Sequence, residues 1–201
     1  NYVQPNMALA DKALDANFFQ HIPYLYNMNF EKKLDLVWVA KVHIEPLGLY
    51  SYKVKNLDDL KKGDTVAVPN DPTNEARALR LLESAGLIKV RAGELVTVRD
   101  ITENPRGLKF VELEAAQLPR ILQDVPPAVI NPNFPSAAKP QPSKDATTLE
   151  GKDSPYANVV VVRKEDAEKP AVKALVKASN SPEVKAYIEQ NLIPKGIVPA
   201  F

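Results

Sequence analysis

The run from Val66 to Arg80 constrains this chain more tightly than any other stretch. Val66, Ala67 and Val68 form a short apolar segment that Pro69 closes, and Asn70-Asp71-Pro72-Thr73-Asn74 then supplies turn and cap residues ahead of Glu75-Ala76-Arg77-Ala78-Leu79-Arg80. Asp or Asn just before a helix accepts hydrogen bonds from first-turn N–H groups, and Pro fits the first helical position because its missing N–H would be unpaired there anyway. The run therefore reads as a strand, a tight turn and a helix N-terminus. In open α/β sheets that junction is where small ligands sit, and the exposed N–H groups favour an anion.

Other segments extend the pattern. The helix from Pro72 is predicted to run to Ser84, with Gly86 ending it in the left-handed conformation and Ala78, Leu81, Leu82 and Ala85 facing the core. Met7 to Leu14 reads as a helix capped by Asn6, and Leu14 to Leu25 as a strand turning into a second helix. Strands are expected at Asp35–His43, Leu47–Val54, Thr65–Val68, Lys109–Leu113, Ala128–Ile130 and Asn158–Val162. Helical turns are expected at Leu57–Leu60 and Leu118–Gln123, and closing helices at Ala171–Ala178 and Pro182–Asn191. Strands alternating with helices predict a parallel α/β architecture.

Composition narrows the function classes. A formal net charge of +1 gives no basic footprint for nucleic acid. No apolar run approaches the roughly 20 residues of a membrane-spanning helix. Without cysteine there is no disulfide, thiolate metal site or thiol chemistry, and His21 and His43 are too few for a histidine-rich metal centre, so neither metal nor cofactor is expected. Eighteen prolines against seven glycines is unusual, and their crowding between Pro126 and Pro142 forbids regular helix or central strand there. The chain opens at Asn1 with neither an initiator Met nor a signal-like segment, so removal of a preceding piece is expected.

Arg77 is the strongest candidate for binding an anion, because guanidinium grips a carboxylate with two parallel hydrogen bonds. Its alternative is an ion pair on the helix surface, the role expected of Arg80. Asn131 and Asn158 each flank an apolar strand run and offer both a donor and an acceptor, with turn chemistry as the alternative. Asp71, Glu75, Glu112 and Glu114 are carboxylates at a density usual for solvated faces. Nucleophile elbows, phosphate-binding glycine loops and metalloprotease helices are absent from the sequence. An enzyme reading, a hydrolase or transferase, would rest on His21 with Glu45 or Asp71.

Several runs together resemble the methionine-binding lipoproteins of bacterial ABC importers, the NlpA/MetQ type. They are Tyr2-Val3-Gln4-Pro5-Asn6, Asp15-Ala16-Asn17-Phe18-Phe19-Gln20-His21, Val68-Pro69-Asn70-Asp71-Pro72-Thr73-Asn74, Leu113-Glu114-Ala115-Ala116-Gln117-Leu118-Pro119-Arg120, Ala128-Val129-Ile130-Asn131 and Asp153-Ser154-Pro155-Tyr156-Ala157-Asn158. They span nearly the whole chain in order.

The resemblance implies a two-lobed, periplasmic-binding-protein-like (type II-like) α/β fold with two crossing segments. One lobe would hold residues 1–55 with 153–201 and the other residues 56–152, with hinges near Asn56 and Asp153. It implies one methionine closed into the cleft, delivery to an ABC permease and its ATPase, and a lipid anchor at the periplasmic or extracellular face of the cell membrane. It also implies a monomer without catalytic activity. The family's lipidated cysteine and opening strand–helix–strand have no counterpart ahead of Asn1, so a first lobe shortened at its N-terminus is expected. The proline-rich stretch also departs from the family, where that segment carries more glycine and alanine. By resemblance Arg77 meets the ligand carboxylate, Asn131 and Asn158 contact the zwitterion, and Tyr2, Phe19, His21 and Tyr24 line the thioether pocket. Aromatic rings suit a polarisable thioether; as an alternative, Phe19 is a plain core residue. A surface adhesin-type protein is the remaining alternative, and no particular residue speaks for it.

Overall fold

The computed structural model describes residues 2–122, 124, 127–131, 133, 146–150, 154–193 and 196–201. Most of the Pro126–Pro142 stretch and Asp153 lie outside them. The chain divides into two compact units, Asn1–Glu45 with Lys152–Phe201, and Pro46–Gly151.

The first unit is built on a four-stranded sheet in the order β1-β10-β2-β11, where β1 is Asn17–His21, β2 Leu36–Ile44, β10 Ala157–Arg163 and β11 Val198–Pro199. Every pairing in it is antiparallel, which corrects the expectation of a parallel sheet here. The reason lies in the order of chain return. Strands β1 and β2 run the same way and are joined by α2 (Ile22–Lys32), as in a βαβ unit, but β10 comes back from the far end of the sequence and inserts between them in the opposite sense. The centre of β10, Val159–Val162, is apolar because both of its faces are covered. Val159 and Val161 pack with Leu9 of α1 (Gln4–Ala10), Leu25 of α2 and Leu36. Val160 faces the other way, onto Ala40, Val42 and Ile188, with Val176 and Val184 alongside, from α5 (Pro170–Ser179) and α6 (Pro182–Asn191).

Helix α1 starts three residues before the expected Met7 and stops short of Leu14. Its N-cap is Val3, and Asn6, expected as the cap, is instead fully buried within the helix. The structure gives it a different partner set: Asn6 Nδ2 donates to Gln20 Oε1 at 2.7 Å, while Asn6 Oδ1 accepts from Asn17 Nδ2 at 2.9 Å and Gln20 Nε2 at 2.6 Å. Reciprocal amide bonds offset the desolvation of three buried polar side chains and fasten α1 to β1.

The second unit carries a five-stranded sheet in the order β7-β4-β8-β3-β9, with β3 at Gly48–Tyr50, β4 at Thr65–Pro69, β7 at Lys109–Leu113, β8 at Ala128–Ile130 and β9 at Ala146–Leu149. Here β4 is parallel to β7 and β8, as predicted, whereas β3 is antiparallel to β8 and β9. Residues 47–54 were expected in the first lobe, but among the described residues β3 pairs with β8 and β9 of the second sheet, and the unit boundary falls at Glu45–Pro46 rather than near Asn56. Helix α3 (Pro72–Ser84) packs Ala76, Ala78, Leu79, Leu81 and Leu82 against Val66, Val68, Leu49 and Val129. Gly86 adopts φ +73°, a conformation costly for residues with a Cβ, as the helix-ending role requires. A short hairpin-like pair, β5 (Lys89–Val90) with β6 (Ile101–Glu103), and a four-residue α4 (Leu118–Ile121) complete the elements used below. Among the described residues no helix is long and apolar enough to cross a membrane.

Candidate functional site

In the first unit the end of β1 becomes the start of α2 at His21. The residue keeps extended backbone angles and its Nδ1 accepts from the Tyr24 N–H at 3.1 Å, capping the helix as an Asn or Asp side chain would. A neutral imidazole that accepts at Nδ1 carries its proton on Nε2, so the cap fixes both tautomer and ring orientation. Around this corner the structure gathers the expected aromatic residues. Tyr24 stands edge-on to Tyr2 at 5.8 Å, to Phe19 at 6.2 Å and to His21 at 6.2 Å between ring centroids. Tyr2 and Phe19 are tilted at 6.2 Å. Such edge-to-face arrangements are favoured by the ring quadrupoles and hold the cluster in shape.

Tyr156, just ahead of β10, adds a ring 5.0 Å from His21 that the sequence reading missed. A lone aromatic between Pro155 and Ala157 carries no periodic signal; pairing of β10 with β1 is what brings it to the corner. Asn158 lies opposite His21 on one side and His43 on the other. Its Nδ2 is 3.3 Å from His43 Nε2, which also lies 2.8 Å from Glu45 Oε1.

In the second unit the candidates converge at the start of α3. Asp71 caps the helix, its Oδ1 accepting from the Asn74 N–H at 3.0 Å and from Thr73 Oγ1 at 3.1 Å. The Asn74 amide also donates to the Asp71 carboxylate, and Asn74 Oδ1 accepts from Asn131 Nδ2 at 2.9 Å. The Asn131 Oδ1 is buried without a hydrogen-bond partner among the described residues. An acceptor left so costs about 1–3 kcal/mol, and it would suit a donor brought by a ligand, such as an ammonium group. Asn131 is thus joined to α3 through Asn74, which the sequence reading placed only in the turn.

Arg77, one turn further on, is 4% exposed. Its Nε donates to both carboxylate oxygens of Glu150, at 3.0 and 3.1 Å, and its Nη2 pairs with Glu150 Oε2. Glu150 was not among the expected site residues; it lies 73 positions away and no local pattern connects the two. Arg80, on the same helix, pairs with Glu83 at 2.7 Å and donates to the carbonyls of Arg91 and Gly93. It fastens the neighbouring loop, as its reading as a structural charge anticipated.

Glu75 is buried beside Arg77 on α3, and burial, followed by the nearby carboxylates of Glu112 and Asp71, pushes its pKa from 4.5 up to about 7; the Val98 N–H, donating at 2.9 Å, opposes the rise. The carboxyl borders the packed interior and Val98, so the raised value reflects placement in the core. The enzyme reading gains nothing from these contacts: His21 and Asp71 each cap a helix, and Glu45 meets His43. Among the described residues no three His, Cys, Asp or Glu side chains group to hold a metal ion.

The NlpA lipoprotein family model matches residues 1–201. The chain belongs to the NlpA lipoprotein family. Within it, the chain is 48% identical over 188 residues to the D-methionine-binding lipoprotein MetQ of Salmonella typhimurium, an alignment covering 92% of this chain and 69% of that protein. It is 50% identical over 186 residues to outer membrane lipoprotein 3 of Mannheimia haemolytica, covering 92% of this chain and 71% of the relative. Among solved structures, a nutrient binding protein from Burkholderia cenocepacia bound to methionine superposes with a TM-score of 0.95 at 50% identity, covering all of this chain and 85% of that one. Both candidate clusters described above therefore belong to an NlpA-family fold.

Proposed function

We propose that this chain is the substrate-binding component of a bacterial ABC importer and that it captures one molecule of methionine. The observation that carries the reading is the likeness over the full chain to a protein solved with methionine bound. The chemistry of the two clusters supports it. An amino acid needs a cation for its carboxylate, acceptors for its ammonium and a shaped pocket for its side chain. Arg77 supplies the first, Asn131 and Asn158 the second, and Tyr2, Phe19, His21, Tyr24 and Tyr156 the third, where ring edges and faces suit a thioether.

The polar cluster suits the zwitterionic end of methionine and the aromatic cluster its thioether. Exclusion of water around the bound carboxylate strengthens the arginine–carboxylate attraction. The loaded protein, a monomer held to the outer face of the cell membrane by a lipid, hands methionine to its permease and ATPase without catalysing a reaction.

A thermal-shift series with the twenty amino acids tests the ligand. Methionine at one hundred times Kd should stabilise the protein by roughly 2.7 kcal/mol. A shift with another ligand class and none with methionine would remove the assignment.

A further inference from the structure

We infer that Glu150 is a positioning residue for ligand capture, fixing the Arg77 guanidinium for the ligand carboxylate and tying it to both points where the chain crosses between units. The inference rests on the methionine reading above.

Two segments of the second unit meet at this one carboxylate, which a third segment carries. From α3, Arg77 reaches it through Nε and Nη2, so the guanidinium plane is held along one of its edges. From the start of β3, the Leu47 N–H donates to Glu150 Oε2 at 3.3 Å. The Glu150 N–H in turn donates to the Leu47 carbonyl at 2.9 Å, extending the ladder in which Gly48 pairs with Leu149. Leu47 is the second residue of this unit after the chain enters, and Glu150 is the last but one before it leaves. The entering and leaving strands are thus stitched to each other, and the stitch is made by the residue that holds the arginine.

Two physical consequences follow. A buried guanidinium requires an anion close by, and Glu150 supplies one that belongs to the fold. Arginine also has many rotamers, and a carboxylate bound along the Nε edge leaves few of them, so the ligand meets a fork already aimed. A guanidinium is planar and carries five donors, which permits recognition of a second carboxylate in the same plane. Glu150 therefore acts on the carboxylate end of the ligand and should be indifferent to the thioether.

That difference sets the test. Dissociation constants are measured for methionine and for methioninol, whose alcohol replaces the carboxylate, with the unsubstituted protein, Glu150→Gln and Glu150→Asp; circular dichroism checks folding. Glu150→Gln should weaken methionine by about tenfold or more while methioninol changes by less than about threefold. Glu150→Asp, which keeps the charge on a shorter stem, should weaken methionine by an intermediate factor and likewise spare methioninol. Equal weakening of the two ligands would reduce Glu150 to a general support of the fold and overturn the inference, as would unchanged methionine affinity in Glu150→Gln. Should Glu150→Gln not fold, the methionine-to-methioninol ratio of Glu150→Asp decides in the same way. Failure of the unsubstituted protein to bind methionine would instead remove the ligand reading, before any variant is compared.

Discussion

The two candidate clusters solve opposite problems. In the first unit, rings are locked against one another around a histidine-capped corner, while the Asn6–Asn17–Gln20 amide network fastens α1 to β1. In the second unit, the functional groups are themselves the network: Asp71, Asn74 and Asn131 form one hydrogen-bonded set at the first turn of α3, and Arg77 with Glu150 a second one turn further on. The aromatic cluster offers shape with little charge. The polar cluster offers charge and direction, and its members are coupled through shared hydrogen bonds. A zwitterion with an apolar tail needs both kinds, and the contrast predicts that perturbations of the second unit cost more than those of the first.

The largest effect is expected at Arg77. Arg77→Ala should weaken methionine binding by about a hundredfold or more, because the ligand carboxylate loses a charge-assisted fork and Glu150 loses its counter-ion. Calorimetry against the unsubstituted protein measures it, and a loss below about threefold would move the carboxylate site elsewhere.

Glu75 offers a stability test of the same helix. A carboxyl whose pKa rises from 4.5 to about 7 on folding binds a proton that the unfolded chain has already released, so its contribution is fully present below about pH 4.5 and is lost as pH rises through 7. Glu75→Gln keeps an acceptor for the Val98 N–H and removes the charge. It should stabilise the protein at pH 8 by about 1–3 kcal/mol, change little at pH 4.5, and flatten the fall between. Chemical denaturation across that range checks it; an unaltered pH profile would mean Glu75 does not titrate there.

A smaller effect is expected in the aromatic cluster. Tyr24→Leu preserves apolar bulk but removes a ring that touches three others, and should reduce the preference for methionine over norleucine by about 0.3–1.5 kcal/mol. Preference unchanged in competition binding would place the thioether away from these rings. Smallest of all, Arg80→Ala should leave methionine affinity unaltered and cost about 1 kcal/mol or less in stability, since its pair with Glu83 is solvent-screened. Were Arg80 to matter as much as Arg77, the division between ligand-facing and structural arginines on α3 would collapse.

These residues also mark what was legible before the structure. Helix α3 runs from Pro72 to Ser84 and β7 from Lys109 to Leu113, as read, because caps, prolines and apolar runs are local signals. Phe19, His21 and Tyr24 come together because β1 and α2 are adjacent in sequence and meet at His21. Local signals did not carry strand direction. Nothing in Asn158–Val162 states that β10 will insert antiparallel between β1 and β2. Strand β9, Ala146–Leu149, lacks the alternation that announces a strand. Asn6 was misread as a cap because a buried amide with distant partners looks the same in sequence. Glu150 stayed unseen for the same reason: its meaning comes from Arg77 and Leu47, both distant in the chain.

The most direct measurement is a calorimetric titration of L- and D-methionine into protein unfolded, dialysed free of bound ligand and refolded. Saturable binding of at least one enantiomer at one molecule per chain is expected, with the heat abolished in Arg77→Ala. Absence of saturation by either enantiomer up to millimolar concentration, in protein whose circular dichroism confirms refolding, would contradict it.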